Sequence, residues 1–227
     1  MPGRTLWSTD GVRLRDLPLA SGQPAGRHAR LAFWINAYND LVTAGIQELG
    51  IRDSVWEVPD FFDRPSCRIN GLIFSLNDIE HGVLRGNRPN PLSGLPPFAF
   101  DDPRAAHALI PPDPRIHFVI NCGARSCPPA RRFDAHGLEG QLEAAARSFV
   151  AREVCLAGDA LVASLIFKWF ADDFADQLGG LAGFLAAHLE DGPVRRAVLA
   201  GGAERIAWRE YDWRLPESAG TEKEQGR

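Results

Sequence analysis

Residues 28–49 constrain the fold most. Their apolar side chains Leu31, Trp34, Ile35, Tyr38, Leu41, Val42 and Ile46 recur at three- and four-residue spacing, and Gly50 follows. This is the pattern of an amphipathic helix with a definite stop. Such an apolar stripe needs a second surface to cover it, which the rest of the chain must supply. With 227 residues, 45 % of them hydrophobic and 24 % charged, the chain is long enough for one sizeable core.

The other predicted elements are shorter. Residues 67–74 (CRINGLIF) read as a strand or hairpin turning at Asn70-Gly71. Ser75 caps a second helix over residues 76–86, with Asp78 closing a capping box. The proline-rich residues 87–115 are mostly loop, with one helical turn near Ala105. Residues 116–120 read as a strand with Ile116, Phe118 and Ile120 on one face. A helix over 136–152 and a hairpin turning at Gly158-Asp159 follow, then helices over 165–177, 181–192 and 193–200, and a last strand within 206–215. Residues 1–27 are expected to be an irregular N-terminal arm, 28–215 a single globular domain and 216–227 a disordered C-terminal tail. Without βαβ alternation, the class is α+β, with helices packed around a small, mainly antiparallel sheet.

The formal net charge of −4 gives no bias toward nucleic acid or an anionic membrane. No apolar run approaches the length of a spanning helix. The start, MPGRTLWSTDGVRL, lacks a secretory signal. The expectation is therefore a cytoplasmic protein whose Cys67, Cys122, Cys127 and Cys155 are reduced thiols; a missing upstream signal would make it exported.

Chemistry concentrates in residues 115–129, RIHFVINCGARSCPP. Pro128 after Cys127 suggests a helix starting there, with Cys127 at its N-cap, where the helix dipole favours a thiolate. Cys122 is the rival nucleophile, and the loop of Gly123, Ala124, Arg125 and Ser126 offers amides to an anion or oxyanion. On an extended strand His117 faces away from Cys122, roughly 16 Å off, but it can serve Cys127 once the loop folds back. His81, between Asp78 and Arg85 with Glu80 beside it, is the better general base. Asn36, Asn39 and Asp40 share a helix face, so Asn36 or Asp40 is a candidate orienter of the histidine. Arg85 and Glu80 join Gly123, Arg125 and Ser126 as candidate substrate- or anion-binding groups.

The leading functional expectation is a thiol-dependent hydrolase or acyl-transferase that needs no cofactor and acts on a small molecule or peptide. The alternative is a non-catalytic interaction domain in which these residues form a polar seam in the core. A third reading uses His117, Cys122 and Cys127, with His81 or Glu80, to hold zinc, although H-x4-C-x4-C is not a common zinc spacing. A Cys122–Cys127 disulfide is geometrically allowed and would mark an exported protein. The four-residue gap disfavours a thioredoxin-type role. Trp169, Phe174, Trp208, Tyr211 and Trp213 read as packing.

The blocks FWINAYND (33–40), SLNDIEHGVLR (75–85), DPRIHFVINCGARSCPP (113–129), IFKWFADDF (166–174) and YDW (211–213) resemble, in order and spacing, the domain-of-unknown-function family numbered 547. The resemblance runs from about Leu31 to Trp213. It implies no particular reaction, because the family has no general biochemical assignment. Some plant members join a similar domain to a leucine-zipper segment and look like interaction proteins; nothing here resembles that zipper. After the final Trp the family usually continues with a small residue, Leu and Asn, whereas this chain has Arg214, Leu215 and Pro216.

Overall fold

The first helix, α1 (Arg27–Glu48), buries Leu31, Trp34, Ile35, Tyr38, Leu41 and Val42, the stripe that its spacing marks out. This computed structural model describes residues 5–7, 13–16 and 26–216. β3 (Ser66–Ile69) and β4 (Leu72–Ser75) cover part of α1 as an antiparallel hairpin. Asn70 and Gly71 at its turn have φ of 51° and 82°. A two-residue turn of this kind needs positive φ at both positions, which favours Asn-Gly. β1 (Thr5–Trp7) and β2 (Arg13–Asp16) extend the sheet in the order β1-β2-β3-β4, with β2 parallel to β3 and the other pairs antiparallel. These two strands fall within the stretch expected as an irregular arm, most of which lies outside the described residues. So does the expected tail beyond Pro216.

α2 (Leu138–Glu153) leads to a second sheet of β5 (Cys155–Ala157), β6 (Ala160–Ser164) and β7 (Ile206–Arg209), in which β7 runs parallel to β6. Between β6 and β7 come α3 (Leu165–Trp169), α4 (Ala171–Ala175), α5 (Gly180–His188) and α6 (Pro193–Leu199). The single helix expected over 165–177 is thus broken at Phe170. The fold is α+β, with its strands divided between two small sheets. Among the described residues no helix is long and apolar enough to cross a membrane.

Two local departures shape the site. The capping box forms as its residues predict: the Asp78 amide donates to Ser75 Oγ (3.2 Å) and the Ser75 amide to Asp78 Oδ2 (2.9 Å). The helix then widens, and Asp78–Leu84 is a π-helix whose end is closed by an Arg85 amide to Glu80 carbonyl bond of 2.8 Å, a five-residue span. Phe98 presses on its backbone: a Cβ on Gly82 would lie 2.3 Å from that ring.

The second departure is a correction. Residues 116–120 are not a strand; Pro114–Phe118 is a 3-10 helix. Asp113 caps it by accepting from the Arg115 amide (3.0 Å), and Pro114 fills the first position, where no amide is needed. The alternation of faces therefore fails, and Ile116, His117, Phe118 and Val119 are all buried in succession. Ile116 joins the apolar cluster around α1. Phe118 joins a second cluster, stacking on Phe149 at 4.7 Å beside Phe167, Phe174 and Phe184. One short turn thus links the two cores. Each fully buried Phe contributes roughly 1.5–3 kcal/mol, so the turn is anchored from both sides.

Candidate functional site

A cavity of about 310 Å³ lies beside that turn. Tyr38 of α1, Glu80 and His81 of the π-helix, His117, and both Cys122 and Cys127 line it. Trp56, Phe62, Trp169, Phe170, Tyr211 and Trp213 supply aromatic walls. Trp169, Tyr211 and Trp213 form a contiguous belt: Tyr211 lies 5.0 Å from Trp169 and 4.7 Å from Trp213 between ring centroids.

The loop bearing the cysteines is fastened at both ends. Asn39, buried in α1, donates to the Val119 carbonyl (2.9 Å) and accepts from the Asn121 amide (2.8 Å). Asn121 in turn accepts from the Gly123 amide (2.7 Å). Gly123 sits at φ 88°, and a Cβ there would come within 2.8 Å of Ile46, so both backbone and space require glycine. On the far side the Arg125 amide donates to the Arg214 carbonyl (2.8 Å) and the Asp212 amide to Ser126 Oγ (2.9 Å). These bonds bring the last segment over the loop.

Cys122 and Cys127 form a disulfide, with Cα atoms 6.3 Å apart. This corrects the expectation of four reduced thiols; Cys67 and Cys155 are the free ones. Burial pushes the Cys67 thiol up to about 12, so it is inert near neutrality. The expected helix after Cys127 is also corrected, since α2 begins only at Leu138. Pro129 disfavours the helical conformation for Pro128, so the double proline stops a helix from starting at the cysteine. The sulfurs have other donors. The Cys122 amide donates to Cys127 Sγ at 3.0 Å, and the Tyr211 hydroxyl lies 3.2 Å from Cys122 Sγ and 3.0 Å from Cys127 Sγ.

The two histidines share a buried ionic network. Arg85, 2 % exposed, donates to Asp173 through Nε (2.6 Å) and Nη2 (3.1 Å), and through Nη1 to His81 Nδ1 (3.0 Å) and the Pro89 carbonyl (2.8 Å). A guanidinium only donates, so His81 Nδ1 accepts and its proton resides on Nε2. His117 Nε2 lies 2.8 Å from Asp173 Oδ2. That carboxylate accepts, which leaves Nδ1 of His117 as the ring's lone pair. Burial first, then the Arg85 charge, push His81 down to about 3. Burial also lowers His117, against the pull of Asp173. Burial opposes the Asp173 charge, but bonds from His117 and Arg85 hold its carboxyl below the usual range. Both imidazoles are therefore neutral, one presenting a donor and the other an acceptor.

Glu80 is the contrasting acid. Its Oε2 accepts from the Tyr38 hydroxyl at 3.0 Å. Burial pushes its carboxyl up to about 7, against the pull of Arg85 and the Tyr38 bond. A carboxyl tuned to neutrality within a cavity is equipped to exchange protons.

The structure gathers Cys122, Cys127, Glu80, His81 and His117 around this cavity. Arg85 lies behind His81, spent on Asp173. Asn36 clamps the Phe133 backbone in both directions (2.7 and 2.9 Å). Asp40 is exposed beside Arg132 (3.3 Å). Arg125 donates through Nε to the Leu215 carbonyl (3.1 Å), and Ser126 holds Asp212. Tyr38, Asn39, Asp173 and Tyr211 are groups that sequence reasoning did not place in the site. Polar Asn39 within an apolar helix face was the available signal; nothing local reveals the other three. Among the described residues no group of three or more His, Cys, Asp or Glu side chains is arranged to hold a metal ion. The sulfurs of the expected zinc set are joined to each other, and His117 is turned to Asp173.

Comparison with known families finds a match over much of the chain. The model of a family described as "Protein of unknown function, DUF547" covers residues 23–150, more than half of the length. No curated protein and no solved structure matches the chain.

Proposed function

The chain belongs to the DUF547 family of proteins of unknown function, and from that premise we propose that the cavity is the active site of a thiol-dependent hydrolase or acyl-transferase that works in its reduced form. The observation that carries this reading is the convergence of Cys122, Cys127, Glu80, His81 and His117 on one aromatic-walled space. The disulfide is the resting state. A dithiol or phosphine reductant delivers two electrons, the medium two protons, and two thiols result.

Cys127 is the nucleophile. Its sulfur is beside the Cys122 amide and the Tyr211 hydroxyl, two donors that favour a thiolate. His117 Nδ1 takes the thiol proton, with Asp173 orienting the ring. The thiolate then attacks the carbonyl carbon of an ester, thioester or amide. A C–S bond forms, and the bond to the leaving group breaks as the His117 imidazolium gives that proton to it. The Nε2–H of His81 donates to the carbonyl oxygen as it gains charge. Water then cleaves the thioester as it gives a proton to His117, which passes that proton to the departing sulfur and restores the thiol. In the transferase version an alcohol or amine replaces water. Small-molecule and peptide substrates both fit this scheme. A persistent Cys122–Cys127 bridge also supports an oxidising compartment for the resting protein.

Limiting iodoacetamide across pH 5 to 9, with and without a phosphine reductant, tests the reading when labelled cysteines are mapped by mass. The expected result is rapid alkylation of Cys127 below pH 7 only after reduction, slowed by His117→Asn. Uniformly sluggish labelling near pH 8.5 would remove the enzyme reading and leave the non-catalytic interaction domain.

A further inference from the structure

The cavity also specifies the charge of its ligand. Among the described residues that line it there is no lysine or arginine. Arg85 sits behind His81 and is bonded to Asp173 and the Pro89 carbonyl. The one carboxyl on the wall is Glu80. Tyr38 occupies Oε2, which leaves Oε1 for a ligand. Trp169, Phe170, Tyr211 and Trp213 surround the same space. Aromatic rings carry negative faces that attract organic cations, and a carboxylate adds to that attraction. An anion would meet Glu80 and the ring faces with no lysine or arginine on the wall; the Arg85 guanidinium, over Phe170 at 5.0 Å, is balanced by Asp173.

We propose that the pocket binds a small organic cation, a protonated amine or quaternary ammonium on an apolar body, with Glu80 as its counter-charge and the Trp169–Tyr211–Trp213 belt as its wall. This deepens the active-site reading and rests on it for the claim that the ligand is a substrate; the binding itself needs no thiol. Of the expected substrate- or anion-binding groups Gly123, Arg125, Ser126, Arg85 and Glu80, this proposal gives the ligand contact to Glu80.

The affinity should depend on pH through Glu80. The groups that face it are Tyr38 from α1, Tyr211 from the last segment, His117 from the 3-10 helix, Asp173 from α4, and His81 and Arg85 from its own helix. Burial raises both phenols, His81 and His117 are lowered, and Asp173 is held ionised by His117 and Arg85. The Glu80 carboxyl has its midpoint inside the range pH 5 to 8, at about 7. If only the carboxylate form binds, affinity follows its population and rises by up to about a hundredfold over that range.

The test uses the oxidised full chain, so its outcome is separable from the thiol-labelling result. Benzyltrimethylammonium and phenylacetate, similar in size and opposite in charge, are titrated by calorimetry and tryptophan fluorescence at pH 5 and pH 8. The expected result is binding of the cation only, at least tenfold tighter at pH 8, with Glu80→Gln weakening it at least tenfold and flattening the pH profile. Binding of phenylacetate at equal or higher affinity overturns the proposal. So does a cation affinity that is undetectable at 10 mM or unchanged between the two pH values. Should Glu80→Gln fail to fold, the profile of the unaltered chain decides alone.

Discussion

Glu80→Gln should change not only binding but the way stability responds to pH. The substitution keeps the shape and an acceptor for the Tyr38 hydroxyl while removing the titration. In the folded chain the Glu80 carboxyl has its midpoint at about 7, against an ordinary value of 4.5. Between these values the native state holds a proton that the unfolded state has lost. Stability contributed by the neutral carboxyl is complete below pH 4.5 and disappears as pH rises through 7. Integrating the difference in bound protons from pH 5 to pH 7, at 1.36 kcal/mol per unit, gives about 2 kcal/mol. His81, His117 and Asp173 titrate in both chains and cancel in the comparison. The Glu80→Gln variant should therefore gain about 2 kcal/mol relative to the unaltered chain between pH 5 and pH 7. Urea unfolding of both chains at the two pH values, oxidised and without ligand, reads this directly. A difference that stays constant within about 0.5 kcal/mol, or moves the other way, would refute the idea that Glu80 is desolvated in the cavity wall.

Other perturbations probe the supports of the site. Asp173→Asn leaves the buried Arg85 guanidinium without its counter-charge and should cost about 3–5 kcal/mol in urea unfolding; a loss below about 1 kcal/mol would mean that the guanidinium reaches water. Asn39→Ala strips partners from the Asn121 amide and the Val119 carbonyl, at about 1–3 kcal/mol for each group left unpaired. It should also speed hydrogen exchange in the cysteine loop. Reducing the Cys122–Cys127 bridge, sequence separation 5, should lower stability by about 2 kcal/mol from loop entropy alone, seen as a lower denaturation midpoint with phosphine. His81, at about 3 in the fold and about 6.5 when unfolded, takes up a proton on unfolding between those values. Stability attached to it therefore falls as pH drops below 6.5, by up to about 1.4 kcal/mol per unit, and His81→Asn should flatten that acid limb.

What the sequence made legible was local. The α1 stripe, the Asn70-Gly71 turn, the Gly158-Asp159 hairpin and the Ser75/Asp78 box all depend on residues within a few positions of one another, and each appears in the structure. Residues 116–120 misled because alternating apolar side chains look the same whether one face or every face is covered; Asp113 and Pro114, which start the 3-10 helix, lie just before the alternation. The π-widening of Asp78–Leu84 left no mark in propensity, since it accompanies the packing of Phe98 on Gly82. The pocket's polar members were visible as residue types, but their partners were not. Arg85 and Asp173 are 88 positions apart, and no spacing rule links them. The aromatic YDW block read as packing because nothing nearby shows that it returns over the cysteines.

That return has a consequence for biosynthesis. Cys127 precedes Tyr211 by 84 residues, and a ribosome adding about 5–20 residues per second takes roughly 4–17 s to cover that interval. Throughout it the two sulfurs exist on a nascent chain without the phenol that later covers both, while the helix carrying Asn39 has already been made. Whether they meet an oxidant as an open dithiol or under a finished roof is thus decided by the order of translation, before folding is complete.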